Sequence, residues 1–147
     1  APFLSLGFVD AEWLDAALPV LIECDDACPT EGDSLTHFDL RSDNMCLTDD
    51  RVLFIDWNCA CAGDARLDLG FWLPSLAYEG GPQPDVILPD APEVAAKVSG
   101  YFASRAGMAI IPDAPRVRVV QREQLVTGLP WAARAMQLPP LPGARRG

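Results

Sequence analysis

The segment NMCLTDDRVLFID (44–56) constrains the fold most, because its pattern predicts a short β-hairpin. Two apolar runs flank its central Asp-Asp pair, and a short polar pair of this kind suits a tight turn between strands. A two-residue turn would place Asn44 opposite Ile55, whereas a three-residue turn that also includes Arg51 would place Asn44 opposite Asp56. Both registers bring Asn44 and Asp56 close together at the open end of the hairpin.

Three polar side chains around this hairpin suit metal-assisted chemistry. Amide and carboxylate oxygens, such as those of Asn44 and Asp56, are ligands that Mg²⁺ prefers, and waters and phosphates usually complete its shell. Asp39 follows the candidate strand SLTHF (34–38) and precedes Asn44 by five residues. It can lie at the mouth of the same site and accept a proton from an attacking hydroxyl.

The composition indicates one globular domain over residues 1–147. Half of the residues are hydrophobic, which suffices for a real core. The net charge of −10 argues against nucleic acid and anionic membrane surfaces as partners, because both would be repelled. The sequence shows no signal-peptide pattern and no apolar run long enough to cross a membrane, so we expect a cytoplasmic protein.

The five cysteines are expected to be reduced thiols in the core. Their number is odd, and Cys59 and Cys61, which we place in one buried stretch, lack the Cys-x-x-Cys spacing of a zinc site.

Outside the hairpin, the pattern predicts mainly helices. Asp10 is a candidate N-cap for the first helix, which Pro19 would kink or restart, and Gly128 and Pro130 would interrupt the last one. The predicted segments are a helix from residue 11, a polar turn region at 24–33, a loop and helix within 61–78, a surface loop at 80–92, a helix over 92–107, a helix over 114–138 and a flexible tail at 139–147. The fold class is therefore α+β.

Three short motifs occur in a recognisable order. They are HFDLRSDN (37–44), IDW (55–57) and GDARLDL (63–69). They resemble the sequence His-Gly-Asp-x-x-x-x-Asn, Ile-Asp-Trp and Gly-Asp-x-x-x-Asp-Leu of the aminoglycoside phosphotransferase and choline kinase-like family. The first motif also shares its spacing with the catalytic loop of protein kinases. The resemblance covers residues 11 to about 79 well.

The resemblance implies a role for each motif residue. Asp39 would be the catalytic base, and Asn44 and Asp56 would bind Mg²⁺. His37 and Asp68 would support the catalytic loop. The resemblance further implies ATP as co-substrate and a mainly helical C-terminal lobe of a kinase-like fold with a small catalytic hairpin.

The sequence departs from the family pattern in two places. Phe38 occupies the position where the family usually has Gly. In addition, the 36 residues before His37 hold no lysine and no Gly-rich loop, so we expect the N-terminal nucleotide lobe to be absent and the chain alone to be inactive or weakly active. Apolar surface for that lobe, or for a dimer partner, is expected near Trp13, Phe3 or Phe8.

The function predicted for the intact protein is phosphoryl transfer from ATP to a hydroxyl of a small molecule. The acidic residues Asp85, Asp90 and Glu93 would favour a cationic acceptor, such as an aminoglycoside or a related amino alcohol. Two alternatives remain at this point: a non-catalytic kinase-like remnant that acts as a binding module, and a metal-dependent hydrolase built on Asp39, His37 and Asp56.

Overall fold

The computed structural model describes residues 2–142, in which five α-helices are combined with four short strands and three single-turn 3-10 helices. In chain order the elements are α1 (Ala11–Asp26), β1 (Ser34–Thr36), β2 (Met45–Leu47), β3 (Val52–Phe54), β4 (Cys61–Gly63), α2 (Ala65–Tyr78), α3 (Pro84–Ile87), α4 (Pro92–Ala106) and α5 (Val117–Ala135). The strands form two antiparallel pairs, β1 with β4 and β2 with β3. The predicted α+β class is confirmed.

The hairpin adopts the first of the two predicted registers. Cys46 pairs with Leu53, and the backbone N–H of Thr48 donates to the carbonyl of Arg51 across the turn. The turn therefore contains two residues, and Asn44 lies opposite Ile55, whose N–H donates to the Asn44 carbonyl at 3.0 Å.

The core lies between the helices. α4 packs against α1, α2 and α5, and α2 also packs against α5. Two predicted helix signals are confirmed: the Asp10 carboxylate caps α1 by accepting from the N–H of Trp13, and Pro92 begins α4. The largest side chains buried in this core include Trp13, Leu67, Val94, Val98, Phe102, Leu125 and Trp131.

Tertiary packing overrides the predicted helix breaks. α1 continues through Pro19 as far as Asp26, so the predicted restart is wrong. α5 continues through Gly128 and Pro130, and the predicted interruption there is wrong as well. Gly128 lies where α2, α4 and α5 converge: its carbonyl accepts from the Ser99 hydroxyl at 2.9 Å. Burial and this hydrogen bond stabilise a helix that local propensity alone would break.

Three further expectations are corrected. The region 80–92 contains the short helix α3, whose Pro84 is buried. The start of the polar turn region at 24–33 belongs to α1. Of the five cysteines, all of which are free, only Cys28 is buried, and Cys46, Cys59 and Cys61 are exposed. β4 was not predicted, because three residues between loops give too little pattern to identify a strand.

Exposed apolar side chains lie both on α1, at Leu18, Val20 and Ile22, and on the hairpin. Trp13 is buried, and Phe3 and Phe8 pack partly buried against the core. On the hairpin, by contrast, Leu47 is 80% exposed and every residue of β3 is exposed. An open apolar groove lined by Phe3, Trp13, Leu18 and Ile22 is present on the side of α1, so the predicted apolar surface near Trp13 and Phe3 exists.

The tail begins against α1. The carbonyl of Pro139 accepts from the Trp13 indole N–H at 2.9 Å, and Leu141 packs on the core. The rest of the predicted tail, 143–147, lies outside the described residues. Within the described part of the chain, no helix has both the length and the apolar character needed to cross a membrane.

Two helical glycines test the packing between α2 and α4. A Cβ at Gly70 would lie 2.4 Å from Cγ1 of Val94, which is fully buried, whereas a Cβ at Gly100 would meet nothing within 4 Å. We expect Gly70→Ala to lower the free energy of unfolding by about 1–3 kcal/mol, because Val94 cannot move away without strain. Gly100→Ala should raise it by up to about 1 kcal/mol through helix propensity. Urea unfolding of both variants checks this, and equal effects would contradict the described packing.

Candidate functional site

The site is assembled from three segments that are distant in sequence. The loop 37–44 follows β1, residues 55–57 follow β3, and Asp68 lies in the first turn of α2. The structure brings all five residues singled out from the sequence into this region, and their contacts are described in turn.

Asp68 ties the loop to α2. Its Oδ2 accepts from the backbone N–H of His37 at 2.6 Å, and its Oδ1 accepts from the backbone N–H of Phe38 at 2.7 Å. Hydrogen bonds to an ionised carboxylate are about twice as strong as neutral ones. The position of α2 in the core therefore fixes the backbone immediately before Asp39.

Phe38 has a left-handed backbone conformation, with φ of 61°. Glycine adopts this conformation without steric cost, which gives a physical reason for the Gly that the family usually has here. For a bulky residue the cost is about 1–3 kcal/mol. The ring is accommodated against Phe71, with the two ring centroids 5.9 Å apart. The loop therefore keeps a glycine-like backbone and gains an aromatic side chain.

His37 is buried and links the loop to the end of β3. The N–H of Asp39 donates to Nδ1 of His37 at 3.3 Å, and Nε2 lies 2.8 Å from the carbonyl of Ile55. A backbone N–H can only donate, so Nδ1 accepts and Nε2 carries the proton that it donates to Ile55. The ring also contacts Trp57, with centroids 4.6 Å apart. Both ring nitrogens are thus used in holding the backbone.

Asn44 connects the proposed base to the hairpin. Its Nδ2 donates to the carbonyl of Asp39 at 2.8 Å and to Oδ2 of the same residue at 3.3 Å. The side chain is buried, and its amide orientation leaves Oδ1 as the acceptor. The backbone carbonyl of Asn44 accepts from Ile55, the neighbour of Asp56.

Asp56 presents an exposed carboxylate at the end of β3. Its backbone is left-handed, with φ of 63°, a conformation that Asp tolerates better than most residues. Its Oδ1 accepts from Nδ2 of Asn58. The Asn44 Oδ1 and the Asp56 carboxylate are both oxygen donors, so this donor set fits Mg²⁺ rather than a thiolate- or imidazole-binding metal. Among residues 2–142, no three His, Cys, Asp or Glu side chains come together as a metal cluster.

Arg41 belongs to the site and was missed from the sequence. Its Nη1 lies 3.2 Å from Oδ1 of Asp39, and its Nε donates to Oδ1 of Asp43 at 2.9 Å. The hydrogen bond with Asp43 raises the pKa of Arg41 most, and the negative charges of Asp39, Asp43 and Asp56 raise it further. The signal available in the sequence was the position of Arg41, a basic residue two positions after the proposed base Asp39.

A cavity of about 740 Å³ opens beside Asp39. The loop contributes Phe38, Leu40, Arg41 and Asp43 besides Asp39; α2 contributes Phe71; α4 contributes Tyr101 and Phe102; and α5 with its N-cap contributes Arg116, Val117, Val120, Gln121 and Gln124. The cavity is large enough for a small-molecule substrate. Its α5 residues could not be identified from the motifs, because they lie more than seventy positions beyond Asp39.

The acidic residues proposed to favour a cationic acceptor are not among those that line this cavity. Asp85 accepts from Nε of Arg134 at 2.8 Å, and Glu93 accepts from Nη1 of Arg66 at 2.6 Å. Both carboxylates are therefore already compensated by arginines.

Removing one charge-assisted acceptor should loosen the loop. In Asp68→Asn, only one of the two amide atoms can accept, so the N–H of either His37 or Phe38 loses its partner. We expect a loss of about 1.5–3 kcal/mol in the free energy of unfolding and faster hydrogen exchange at these two amides. Asp113→Asn, an exposed change in the loop after α4, is the control. Unchanged exchange at His37 and Phe38 would contradict the contact.

The Arg41 contact has a pH signature. The hydrogen bond from Arg41 lowers the pKa of Asp43, so this contact stabilises the fold above the ordinary pKa of aspartate and is lost as pH falls through the lowered value. In Arg41→Gln, the pKa of Asp43 should rise towards its ordinary value. Carboxyl NMR titration measures this shift, with Arg51→Gln, an exposed change in the hairpin turn, as control. An unaltered Asp43 titration would refute the pairing.

Comparison with known proteins places the chain in a family. Residues 6–110 match the model of the phosphotransferase enzyme family. No curated protein and no solved structure gives a significant match. The family match covers more than half of the chain, spans α1 to α4 and contains all three motifs. The chain therefore belongs to the phosphotransferase enzyme family.

Proposed function

We propose that this chain forms the catalytic and acceptor-binding half of an ATP-dependent kinase for small molecules, equivalent to the C-terminal lobe of a kinase-like fold. The observation that carries the proposal is the network centred on Asn44. Its side chain binds Asp39, and its backbone binds the residue next to Asp56. One residue thereby joins the proposed base to both proposed metal ligands.

In the proposed reaction, Asp39 orients the acceptor's hydroxyl and takes its proton as the hydroxyl oxygen bonds to the γ-phosphorus. The bond between that phosphorus and the β–γ bridging oxygen breaks, and ADP leaves with its electron pair. The Asn44 Oδ1 and the Asp56 carboxylate would hold Mg²⁺, which, when bound, neutralises charge on the β- and γ-phosphates. Arg41, beside Asp39, would stabilise negative charge on the transferred group.

Further nucleotide contacts would come from another unit. Lys97 is the sole lysine of the sequence, and its Nζ is bound to Asp25 at 2.9 Å on the side where α4 faces α1. The exposed apolar hairpin, with Leu47, Val52 and Leu53, offers a surface for such a unit, because contiguous exposed apolar residues commonly mark an interface. We propose a nucleotide lobe, or alternatively a second copy of the chain, as the unit that covers it.

The hydrolase alternative loses support, because both nitrogens of His37 are engaged in holding backbone groups. The binding-module alternative is an outcome of the experiment below. We also propose a cytoplasmic location, since all five cysteines are free and reduced thiols are typical of that compartment.

Calorimetric titration of ATP with Mg²⁺ into the chain tests the proposal. We expect saturable heat that requires Mg²⁺. Asp56→Asn should abolish it because a ligand is lost, whereas Asp39→Asn should retain it because a base is not a ligand. Asp49→Asn, an exposed change in the same hairpin, is the matched control.

Two results would count against the proposal. If Asp56→Asn binds Mg²⁺ and ATP like the unmodified chain, the metal assignment is wrong. If the chain itself gives no heat, nucleotide binding does not reside in this half, and the binding-module alternative gains support.

A further inference from the structure

We infer that the cavity beside Asp39 takes an acceptor with a flat apolar body and an anionic group that lies at Arg116. This inference rests on the proposed function, because it treats Asp39 as the group that the acceptor's hydroxyl approaches. The structure supports it through three features of the cavity wall: aromatic surface, an unpartnered amide and an uncompensated arginine.

The first feature is an aromatic wall. The rings of Phe38 and Phe102 each lie 5.9 Å from the ring of Phe71, measured between centroids, and all three side chains line the cavity. Both contacts are tilted or edge-on, a geometry that leaves ring surface available to a further aromatic group. A flat apolar ring would bury itself here, whereas a heavily hydroxylated polyamine would lose hydration without gaining partners.

The second feature is the side-chain amide of Gln124. The residue is only 5% exposed and lines the cavity. Its backbone carbonyl accepts from the hydroxyl of Thr127, but its side-chain amide has no hydrogen-bond partner among residues 2–142. The amide is not among the fully buried unpaired atoms of the described residues, so it is open to the cavity, where a polar group of a bound acceptor can hydrogen-bond to it.

The third feature is the charge of Arg116. The cavity is lined by two carboxylates, Asp39 and Asp43, and both bind Arg41. Arg116 is exposed at the start of α5 and forms no ion pair in the described part of the chain. The first turn of α5 also holds no acidic residue, so the partial positive charge of the helix start adds to that of Arg116. One guanidinium does not neutralise two carboxylates, so the loop side of the cavity keeps negative charge. The charge at the α5 side, where Arg116 lies, is positive.

Three benzyl alcohols of nearly equal size test the inference without ATP. They are 4-(hydroxymethyl)benzoate, 4-methylbenzyl alcohol and 4-(hydroxymethyl)benzylammonium, which carry a negative, a zero and a positive charge. NMR chemical-shift titration of the full chain gives each Kd, expected on the order of 1 mM for ligands of this size. The benzoate should bind roughly fivefold or more tightly than the ammonium compound, with the neutral alcohol between them.

Two variants and one control distinguish the role of the arginine from that of the aromatic wall. Arg116→Gln should remove the difference between the benzoate and the neutral alcohol. Arg122→Gln, an exposed arginine of α5 outside the cavity lining, should leave all three Kd values unchanged. Phe38→Gly introduces the residue usual in the family and should weaken all three ligands by a similar factor, because it removes ring surface and no charge.

The outcomes are distinct from those of the ATP titration. Tighter binding of the ammonium compound, an order of affinities unaffected by Arg116→Gln, or no saturable shift from any of the three would each overturn the inference. Preferential binding of the benzoate in a chain that fails to bind Mg²⁺ and ATP would support the acceptor assignment and argue against phosphoryl transfer by this half.

Discussion

The hydrogen bonds from His37 and Phe38 to the Asp68 carboxylate hold the candidate site together. Two successive backbone N–H groups each donate to one oxygen of the same carboxylate. A strand ladder cannot satisfy both groups in that geometry, and leaving them unpaired would be costly. The carboxylate lies in the first turn of α2, where the helix dipole favours negative charge. Asp39 is therefore positioned by the same helix that packs against α4 and α5.

The sequence predicted those parts of the fold that short-range rules determine. The two-residue turn of the hairpin depends on neighbouring residues, as do the cap at Asp10 and the helix start at Pro92. Long-range packing decided the features that were predicted incorrectly. Gly128 and Pro130 disfavour a helix locally, yet α5 runs through both because Ser99 and the neighbouring helices stabilise that stretch. The hydrogen bond between the Trp13 indole and the carbonyl of Pro139, 126 positions away, is another contact that no local pattern reveals.

Some residues of the candidate site could likewise be predicted from local sequence patterns, and others could not. Asp39, Asn44, Asp56 and Asp68 were found because their motifs have fixed spacing. Arg41 lies within one of those motifs, but its significance depends on the geometry of its side chain. Gln124 and Arg116 lie at or near α5, beyond the residues of the family match. The proposed catalytic and metal-binding residues thus lie within the family match, whereas much of the cavity wall comes from outside the matched region.

The cavity wall gives a physical reason for a bulky ring at position 38. A left-handed position where glycine would be free of strain holds a bulky ring instead, so the ring must contribute something that offsets its backbone cost. Packing on Phe71 supplies part of that contribution, but a ring that also lines a cavity beside the proposed base changes what the cavity can bind. In the function that we propose, glycine at this position would leave Asp39 to act on any hydroxyl compound that fits. The Phe38 ring would favour acceptors that can pack against an aromatic surface, so the loop that positions the proposed base would also take part in selecting the acceptor.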